Sequence, residues 1–264
     1  MSEATATSPA PSKTEQPVLS VRGLCKNFGA LAVTQSVDMD LAAGARFGLI
    51  GPNGAGKTTL VNLLTGMLSA DAGQITLNGE RIERFSPEDR VKRGLVRTHQ
   101  INTLLNEFTA RDNVALAVAE RLGYAWRSIR YTRQWRQCLE EADAYLGEMG
   151  IAAAGDQTVS EMPYGQQRLL EIAIGLSLKP KVLLLDEPAA GVPSTESHII
   201  DEAMERLPPD IAILLIEHDM DIVFRFAREI TVLVLGAVLT SGTPAEIAAN
   251  PEVRSVYLGR SQQV

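Results

Sequence analysis

The stretch from Phe47 to Thr59 decides the fold, and it reads Phe47-Gly48-Leu49-Ile50-Gly51-Pro52-Asn53-Gly54-Ala55-Gly56-Lys57-Thr58-Thr59. Its first four residues predict a short apolar strand, and the remainder satisfies the pattern GxxxxGK[ST]. Glycines in such a turn let the backbone approach phosphate oxygens, and the helix that follows directs free N–H groups at them. Lys57 adds a positive charge, and the Thr58 hydroxyl can bind Mg²⁺. An ordinary turn is the alternative, but the strand and helix context favours a nucleotide-binding loop formed by Gly51 to Thr59.

Strands and helices alternate around this loop. Short apolar runs and turn residues predict two antiparallel strands, a third strand, the loop with its helix, a further strand with its turn, and a short helix capped by Ser86 and Pro87. In chain order these elements are Val18–Val21, Val37–Leu41, Arg46–Ile50, Gly51–Gly66, Gln74–Gly79 and Ser86–Gly94.

No segment from about Glu107 to Leu178 predicts a strand, so we expect an inserted α-helical subdomain at about residues 105–178. Its predicted helices are Ala110–Glu120, Arg127–Met149 and Gly165–Leu178. Two strands are predicted next, at Val182–Leu185 and Ile211–Ile216, and a helix lies between them within Ser194–Leu207. A further helix begins at Asp219, and a hairpin follows near Ile230–Ser241. Apolar strands without alternation indicate a parallel sheet that is covered on both faces. We therefore predict an α/β fold with a mostly parallel P-loop core, an N-terminal antiparallel β subdomain and the helical insertion.

Composition and charge exclude several classes of function. The 264 residues carry a formal net charge of -7, which disfavours nucleic acid as the main partner. Cys25 and Cys138 are too few for a metal cluster and too far apart for a CxxC motif. The longest uncharged apolar run, Ile230–Leu239, has ten residues, and a spanning helix needs about 20. Residues 1–17 lack the apolar core of a secretion signal, so we expect a flexible tail, one domain over 18–264 and a cytoplasmic protein.

A second motif supplies acidic side chains. The run Val182-Leu183-Leu184-Leu185-Asp186-Glu187-Pro188 predicts a buried strand that ends in two carboxylates. Ligands of open α/β sheets bind at the carboxyl ends of the strands. Asp186 is suited to the Mg²⁺ shell, and Glu187 to orienting or deprotonating an attacking water. The alternative is a pair of acids at a solvated strand end.

The order of further motifs identifies a family. The segment Tyr164-Gly165-Gln166-Gln167-Arg168 stands about twenty residues before Asp186, Gln100 lies between the loop and this segment, and His218 follows the acid pair. From Val18 to about Gly259 the chain resembles the ATP-binding subunit of an ABC transporter. Two such subunits form a head-to-tail dimer in that family, and each ATP lies between one chain's loop and the other's signature segment. Because this chain has one set of motifs, the resemblance implies a second copy or a related subunit.

The resemblance also implies roles for individual residues. Phe28 would stack on adenine with Val33 beside it, and the signature residues Tyr164, Gly165 and Gln166 would contact the partner's nucleotide. Gln100 would sense the metal and the γ-phosphate, so that the metal set is Thr58, Gln100 and Asp186. Lys57, Gln100, Glu187 and His218 would be the catalytic set for hydrolysis of ATP to ADP and phosphate. The cofactors implied are ATP and Mg²⁺.

A narrower likeness concerns transport. The segments Tyr164–Arg168, Asp186–Gly191, Glu217–Met220 and Pro251–Gly259 resemble those of branched-chain amino acid importers and of their relatives for urea and amides. This implies two permease subunits, an indirect link to a solute-binding protein and a place on the cytoplasmic face of the inner membrane. The cargo itself is not readable here. The alternatives are a non-transport ABC ATPase, for which Lys57 to Tyr164 is too short to hold a long coiled coil, and a weakly hydrolysing regulatory subunit.

The chain departs from the family pattern in three places. Met162-Pro163 replaces Leu-Ser before the signature glycine, Val192-Pro193 stands where Asn or Asp is common, and His99 replaces a common Phe. Pro163 offers neither a hydroxyl nor a backbone N–H. One hypothesis is that the composite site that uses this chain's signature turns over slowly. The other is that backbone donors compensate.

A basic stretch remains open to three interpretations. Arg121–Gln137 contains five arginines, Trp126, Trp135 and two tyrosines, but no acid. Arg127, Arg130 and Arg133 would share a helix face. The stretch could be a solvated helix face with buried tryptophans. It could instead contact membrane headgroups or a membrane subunit, or bind single-stranded nucleic acid.

Overall fold

The computed structural model describes residues 16–98, 104–124, 133–193 and 196–258. Most of the predicted tail and the His99-Gln100 pair lie outside these ranges. The described strands are β1 Leu19–Phe28, β2 Leu31–Leu41, β3 Arg46–Ile50, β4 Ala72–Leu77, β5 Glu80–Arg81, β6 Leu95–Arg97, β7 Val182–Asp186, β8 Ala212–Ile216, β9 Glu229–Val234 and β10 Ala237–Gly242. The described helices are α1 Lys57–Thr65, α2 Pro87–Lys92, α3 Ala110–Arg121, α4 Arg133–Glu148, α5 Tyr164–Ser177, α6 Ser197–Glu205, α7 Met220–Phe226, α8 Pro244–Ala249 and α9 Pro251–Leu258.

Two sheets form the frame. The first is antiparallel and has the order β2-β1-β4-β5, with Val21 of β1 opposite Met39 and Ile75. The second has the order β10-β9-β3-β8-β7-β6, and all of its neighbours pair in parallel except β10, which is antiparallel to β9. This arrangement confirms the predicted α/β fold with an antiparallel sheet ahead of a mostly parallel one.

The parallel sheet is buried on both faces. Along β7, Leu183 and Leu185 pack into the core that contains the helices α3, α4 and α5. Val182 and Leu184 point the other way, into the core shared with α1 and the antiparallel sheet. Since side chains alternate along a strand, only a strand with two covered faces is apolar at every position. This is why β7 and β8 lack the alternation of a half-exposed strand.

Helices α3, α4 and α5 lie between β6 and β7, as predicted. The prediction missed four of the short elements that the structure describes, two of which are the strand Glu80–Arg81 and the helix Pro251–Leu258. The sequence predicted no strand at Leu95–Arg97 and no helix at Pro244–Ala249, and the structure has both. The strand has three residues, too few to show a period. The helix has a capping box between Thr243 and Glu246, which is a readable signal. Among the described residues, no helix is long and apolar enough to cross a membrane.

Arg90 ties α2 to the end of α1. Its side chain is almost fully buried, and Nη1 donates to the carbonyls of Leu63 at 2.7 Å and Leu64 at 2.6 Å. Nε and Nη2 donate to the carbonyls of Phe85 at 3.2 Å and Glu83 at 3.1 Å. One guanidinium thus satisfies four carbonyls, two of which belong to the last turn of α1, where carbonyls have no partner within the helix.

We expect Arg90→Met to lower the free energy of unfolding by about 3 kcal/mol, because it leaves buried carbonyls without donors. Chemical denaturation measures this change. Arg84→Met is the matched control: Arg84 is exposed, and its substitution should change stability by no more than about 0.5 kcal/mol. Equal stability of the two variants would contradict a structural role for Arg90.

Candidate active site at the strand ends

Parallel pairing brings three strand ends to one edge of the sheet. Leu49 of β3 and Asp186 of β7 both pair with Ile216, the last residue of β8. The residues that follow these strands therefore lie side by side. The edge gathers the glycine-rich loop after β3, the two acids at the end of β7 and the Glu217-His218 pair after β8.

The loop after β3 needs glycine at specific places. Gly56 has φ +99°, and a Cβ there would lie 2.6 Å from the carbonyl oxygen of Val33. A Cβ on Gly51 would clash with the carbonyl oxygen of Leu233. The hairpin tip between β9 and β10 supports the loop, since the Gly236 N–H donates to the Ala55 carbonyl at 2.8 Å. The loop leads directly into α1, whose first N–H groups have no partner within the helix.

Lys57 lies inside this loop. Its Nζ donates to the Gly51 carbonyl at 2.6 Å, and its side chain is 9% exposed. Burial lowers the pKa of Lys57 from its ordinary value, and the negative charges of Glu187, Asp186 and Glu217 oppose that shift. The ammonium is thus bonded to a carbonyl and lies in the electrostatic field of three carboxylates, in a place where an anionic ligand would add to its stabilisation.

Asp186 has a partner that the sequence did not reveal. Arg97, the last residue of β6, donates from Nη2 to Asp186 Oδ2 at 2.5 Å and from Nη1 to Asn62 Oδ1 at 2.8 Å. The guanidinium therefore connects α1, β6 and β7. One carboxylate oxygen of Asp186 is engaged, and Oδ1 accepts no hydrogen bond from the part of the chain that the structure describes.

Glu187 has an unusual backbone conformation. Its φ is +49°, a left-handed value that costs a residue with a Cβ some free energy and that recurs at functional sites. The Glu187 N–H donates to the Ile216 carbonyl at 2.9 Å, which fixes this turn to the end of β8. Glu187 Oε1 lies 3.7 Å from Nδ1 of His218, whose side chain is 60% exposed. The acid and the imidazole thus meet at the open side of the site.

Glu217 is a third carboxylate, almost fully buried. It accepts the N–H of Ala189 at 3.3 Å and that of His218 at 3.2 Å. Burial raises its pKa, and these hydrogen bonds oppose the shift. In the sequence, Glu217 stands out only as part of the family likeness. A signal was available, because Glu217 directly follows the apolar run Ile211–Ile216.

The signature segment lies at the start of α5, beside the loop that follows Glu187. Arg168 Nη2 donates to the Tyr164 hydroxyl at 3.1 Å and to the Ala190 carbonyl at 3.2 Å. The Gly165 N–H donates to Glu196 Oε2 at 3.3 Å. These contacts join the signature to the acidic loop of the same chain. They leave the side chain of Tyr164 37% exposed.

Val33 lies against the loop, and Phe28 pairs with Leu31 where β1 meets β2. The Val33 carbonyl faces Gly56. Phe28 ends β1 with 48% of its surface exposed, and Lys26 Nζ lies 5.7 Å from the centre of its ring. An exposed aromatic ring of this kind is available for a flat base.

Comparison with known proteins agrees with this geometry. Residues 34–190 match the ABC transporter family, and residues 237–262 match the branched-chain amino acid ATP-binding cassette transporter family. The chain belongs to the ABC transporter family. It is 36% identical to the high-affinity branched-chain amino acid transport ATP-binding protein BraF of Pseudomonas aeruginosa, over 93% of this chain and 99% of that protein. The Escherichia coli protein LivG, whose name has the same wording, is also 36% identical over 93% and 99%.

Solved structures of ABC cassettes share the fold. An ATP-binding cassette of an ABC transporter in its ADP conformation superposes with a TM-score of 0.81, at 28% identity over 92% of this chain and 99% of that one. The protein cbiO1 of Clostridium perfringens, part of an ABC transporter complex, gives 0.75 at 26% identity over 94% and 98%. These matches confirm the predicted resemblance to an ABC transporter ATP-binding subunit, which uses ATP and hydrolyses it in a transporter complex.

Several predicted features of this ABC ATPase are described only in part. Gln100, Trp126, Arg127 and Arg130 lie outside the described residues. Arg121 pairs with Glu141, and its Nε also donates to the Ser177 carbonyl at 2.8 Å. This end of the basic stretch therefore holds α3, α4 and α5 together.

The departures from the family pattern serve the fold locally. Met162 is buried in the helical core, and Val192 packs against that core. Pro163 is the N-cap residue of α5 and makes no side-chain capping bond. The Gln167 N–H donates to the Pro163 carbonyl at 3.1 Å. The α5 helix therefore begins without the hydroxyl that an N-cap serine would contribute.

Glu171 gives the signature helix a pH-dependent stability. It pairs with Arg168 at 2.9 Å, and burial raises its pKa to about 7 against the opposing effect of Arg168. Because the folded state holds this proton more tightly than the unfolded state, Glu171 contributes stability below about pH 4.5 that is lost as the pH rises to about 7. Between about pH 4.5 and pH 7, the free energy of unfolding of Glu171→Gln should fall by up to about 3 kcal/mol less than that of the wild type. Urea denaturation at several pH values measures it, and a slope equal to that of the wild type would contradict the assignment.

Proposed function

We propose that this ABC ATPase binds MgATP at the strand ends and that hydrolysis drives import of branched-chain amino acids, or of related small polar solutes such as urea and amides, through separate membrane subunits. The observation that carries the proposal is the meeting of Lys57, Asp186, Glu187 and His218 at one edge of the sheet. The match of residues 237–262 to the branched-chain type and the names of the relatives support the cargo class. No observation favours a non-transport ATPase or a regulatory subunit.

The loop and the start of α1 are suited to the phosphates. Lys57 would exchange its carbonyl partner for phosphate oxygens, and the N–H groups of Gly54 to Thr59 would surround them. We assign the adenine to the exposed face of Phe28, with Val33 beside it. This completes the nucleotide set of Phe28, Val33 and the residues from Gly51 to Thr59.

The residues present fit Mg²⁺ bound mainly through the nucleotide. Mg²⁺ keeps several waters and takes one or two carboxylates plus substrate phosphates. Thr58 exposes its hydroxyl on the first turn of α1, and Asp186 keeps one oxygen clear of Arg97. In the described ranges no group of three or more His, Cys, Asp or Glu side chains could hold a metal without a nucleotide. Thr58, Asp186 and Gln100 would hold the ion, which supplies charge neutralisation for the β- and γ-phosphates when it is bound.

Hydrolysis requires a positioned water. The water oxygen forms a bond to the γ-phosphorus, the bond to the β-phosphate bridging oxygen breaks, and Glu187 accepts the proton that the water releases. His218 lies within 3.7 Å of Glu187 and orients the water and the γ-phosphate from the open side. Lys57 stabilises the charge on the equatorial oxygens, so catalysis rests on positioning and charge.

The assembly follows from the family and from the single set of motifs. We assign one ATPase domain to 18–264 with a helical insertion at about 105–178, and a flexible tail to residues 1–17. Tyr164, Gly165 and Gln166 would contact the nucleotide held by a second ATPase subunit. Two permease subunits and, through them, a solute-binding protein complete the complex. The subunit would then sit on the cytoplasmic face of the inner membrane, without nucleic acid as a partner.

The roles of Lys57 and Glu187 are separable by kinetics. Lys57→Met should weaken ATP binding roughly 10- to 100-fold, since it removes a charged hydrogen-bond donor to phosphate. Glu187→Gln should bind ATP normally and lower kcat by about 10²- to 10⁴-fold. Fluorescence titration and phosphate release measure the two effects. The exposed substitutions Lys92→Met and Glu229→Gln are matched controls. Normal turnover in Glu187→Gln would exclude Glu187 as the base.

The signature departure is also testable. If the missing hydroxyl slows the composite site, Pro163→Ser should raise the ATP turnover of the assembled transporter by about 3- to 10-fold, the worth of one donor to a charged oxygen. Pro163→Ala is the control, because it restores the backbone N–H without the hydroxyl. Equal turnover of Pro163→Ser and the wild type would support backbone compensation and reject the hypothesis.

A further inference from the structure

Glu217 touches two separate parts of the site. It follows β8, which lies between β3 and β7 in the sheet. Its Oε1 accepts the N–H of Ala189, two residues beyond Glu187, at 3.3 Å. Its Oε2 accepts the N–H of His218 at 3.2 Å and lies 3.5 Å from the imidazole Nδ1. A single carboxylate therefore contacts both the turn that carries the acid and the histidine.

Both carboxylate oxygens of Glu217 are required as hydrogen-bond acceptors. The side chain is 2% exposed, so water cannot replace a lost partner of the two N–H groups, and an unpaired buried donor is costly. An ionised carboxylate accepts at both oxygens, whereas a glutamine side chain has one acceptor oxygen and an NH₂ group that can only donate. In a Glu217→Gln variant, at least one of the two N–H groups would meet the NH₂ group of the glutamine, which cannot accept its hydrogen bond.

The same contact bears on the imidazole proton. His218 Nδ1 lies 3.5 Å from Glu217 and 3.7 Å from Glu187, and both neighbours are carboxylates. An ionised carboxylate has no proton to donate. A neutral imidazole beside them is therefore stabilised when its own proton is on Nδ1. Lys57 and Asp186 are the other charged groups that meet at this edge.

We propose that Glu217 is a positioning residue for ATP hydrolysis: it holds the turn that places Glu187, and it keeps the proton of His218 on Nδ1. The Nε2 atom on the far side of the ring then carries a lone pair, which can accept a hydrogen bond from the attacking water. A buried carboxylate behind an imidazole sets its tautomer and orientation and stabilises the imidazolium when the ring gains a second proton. This inference rests on the proposed hydrolytic site.

The strained conformation of Glu187 gives the first half of this role a physical reason. A left-handed residue persists only where its surroundings fix it on both sides. The Glu187 N–H is bonded to the Ile216 carbonyl at 2.9 Å. The next anchor along the chain is the Ala189 N–H on Glu217. Loss of that anchor should disturb the placement of the Glu187 side chain, while the phosphate-binding loop after β3 stays intact.

The most direct test is the ¹⁵N spectrum of the imidazole in the full chain, at a pH where the ring is neutral. The chain has three histidines, and His218→Gln identifies the signal of His218 by its loss. We expect the Nδ1–H form in the wild type and a shift toward Nε2–H in Glu217→Gln. In Glu187→Gln the Nδ1–H form should persist, because the Glu187 carboxylate is farther away and more exposed to solvent. An Nε2–H form in the wild type would overturn the proposal, whether or not the variants fold.

Kinetics test the placement of Glu187. Glu217→Gln should lower kcat about 10- to 100-fold and leave the ATP dissociation constant within about twofold, since positioning affects the chemical step. A thermal melt shows that the compared protein is folded. Unchanged kcat, or equal loss of kcat and ATP affinity, would contradict a positioning role. A wild-type chain that hydrolyses no ATP with its partners would instead refute the proposed function, and the imidazole spectrum would still decide the tautomer.

Discussion

The parallel pairing of β3, β8 and β7 is the constraint on which the rest of the structure depends. These strands are apolar along their length because the helical core covers one face and the antiparallel sheet with α1 covers the other. Polar chemistry can therefore lie only where the strands end. Three strands in register end together, and that places a buried lysine, three carboxylates and a histidine within one small region.

Two arginines connect this region to the remainder of the molecule. Arg97 joins Asp186 to Asn62 of α1, and Arg168 joins the start of α5 to the Ala190 carbonyl. Each guanidinium bridges elements that are distant in the chain, with donors in a rigid planar arrangement. The acidic turn after β7 is thus linked to the loop helix on one side and to the signature helix on the other.

The sequence was sufficient for the parts of the site that have their own local pattern. Gly51 to Thr59 carries a motif with a backbone requirement at Gly56, and Asp186 ends a strand that is visibly apolar. Arg97 was not predictable, because its strand has three residues and its two partners are 35 and 89 positions away. The sequence shows that Glu217 is an acid after an apolar strand, but it does not show its role, because its partner is the N–H of Ala189 in the loop after a different strand. The lengths of β1 and β2 were underestimated because their outer halves are exposed and irregular in register.

One MgATP site is expected to form where the three strands end. A crystal structure of the full chain with Mg²⁺ and a non-hydrolysable ATP analogue tests it most directly. We expect that Lys57 Nζ leaves the Gly51 carbonyl for a phosphate oxygen, that the ion lies between Thr58 and Asp186, and that the adenine rests on Phe28. A nucleotide bound elsewhere, or one whose phosphates leave the contact between Lys57 and Gly51 in place, would contradict it.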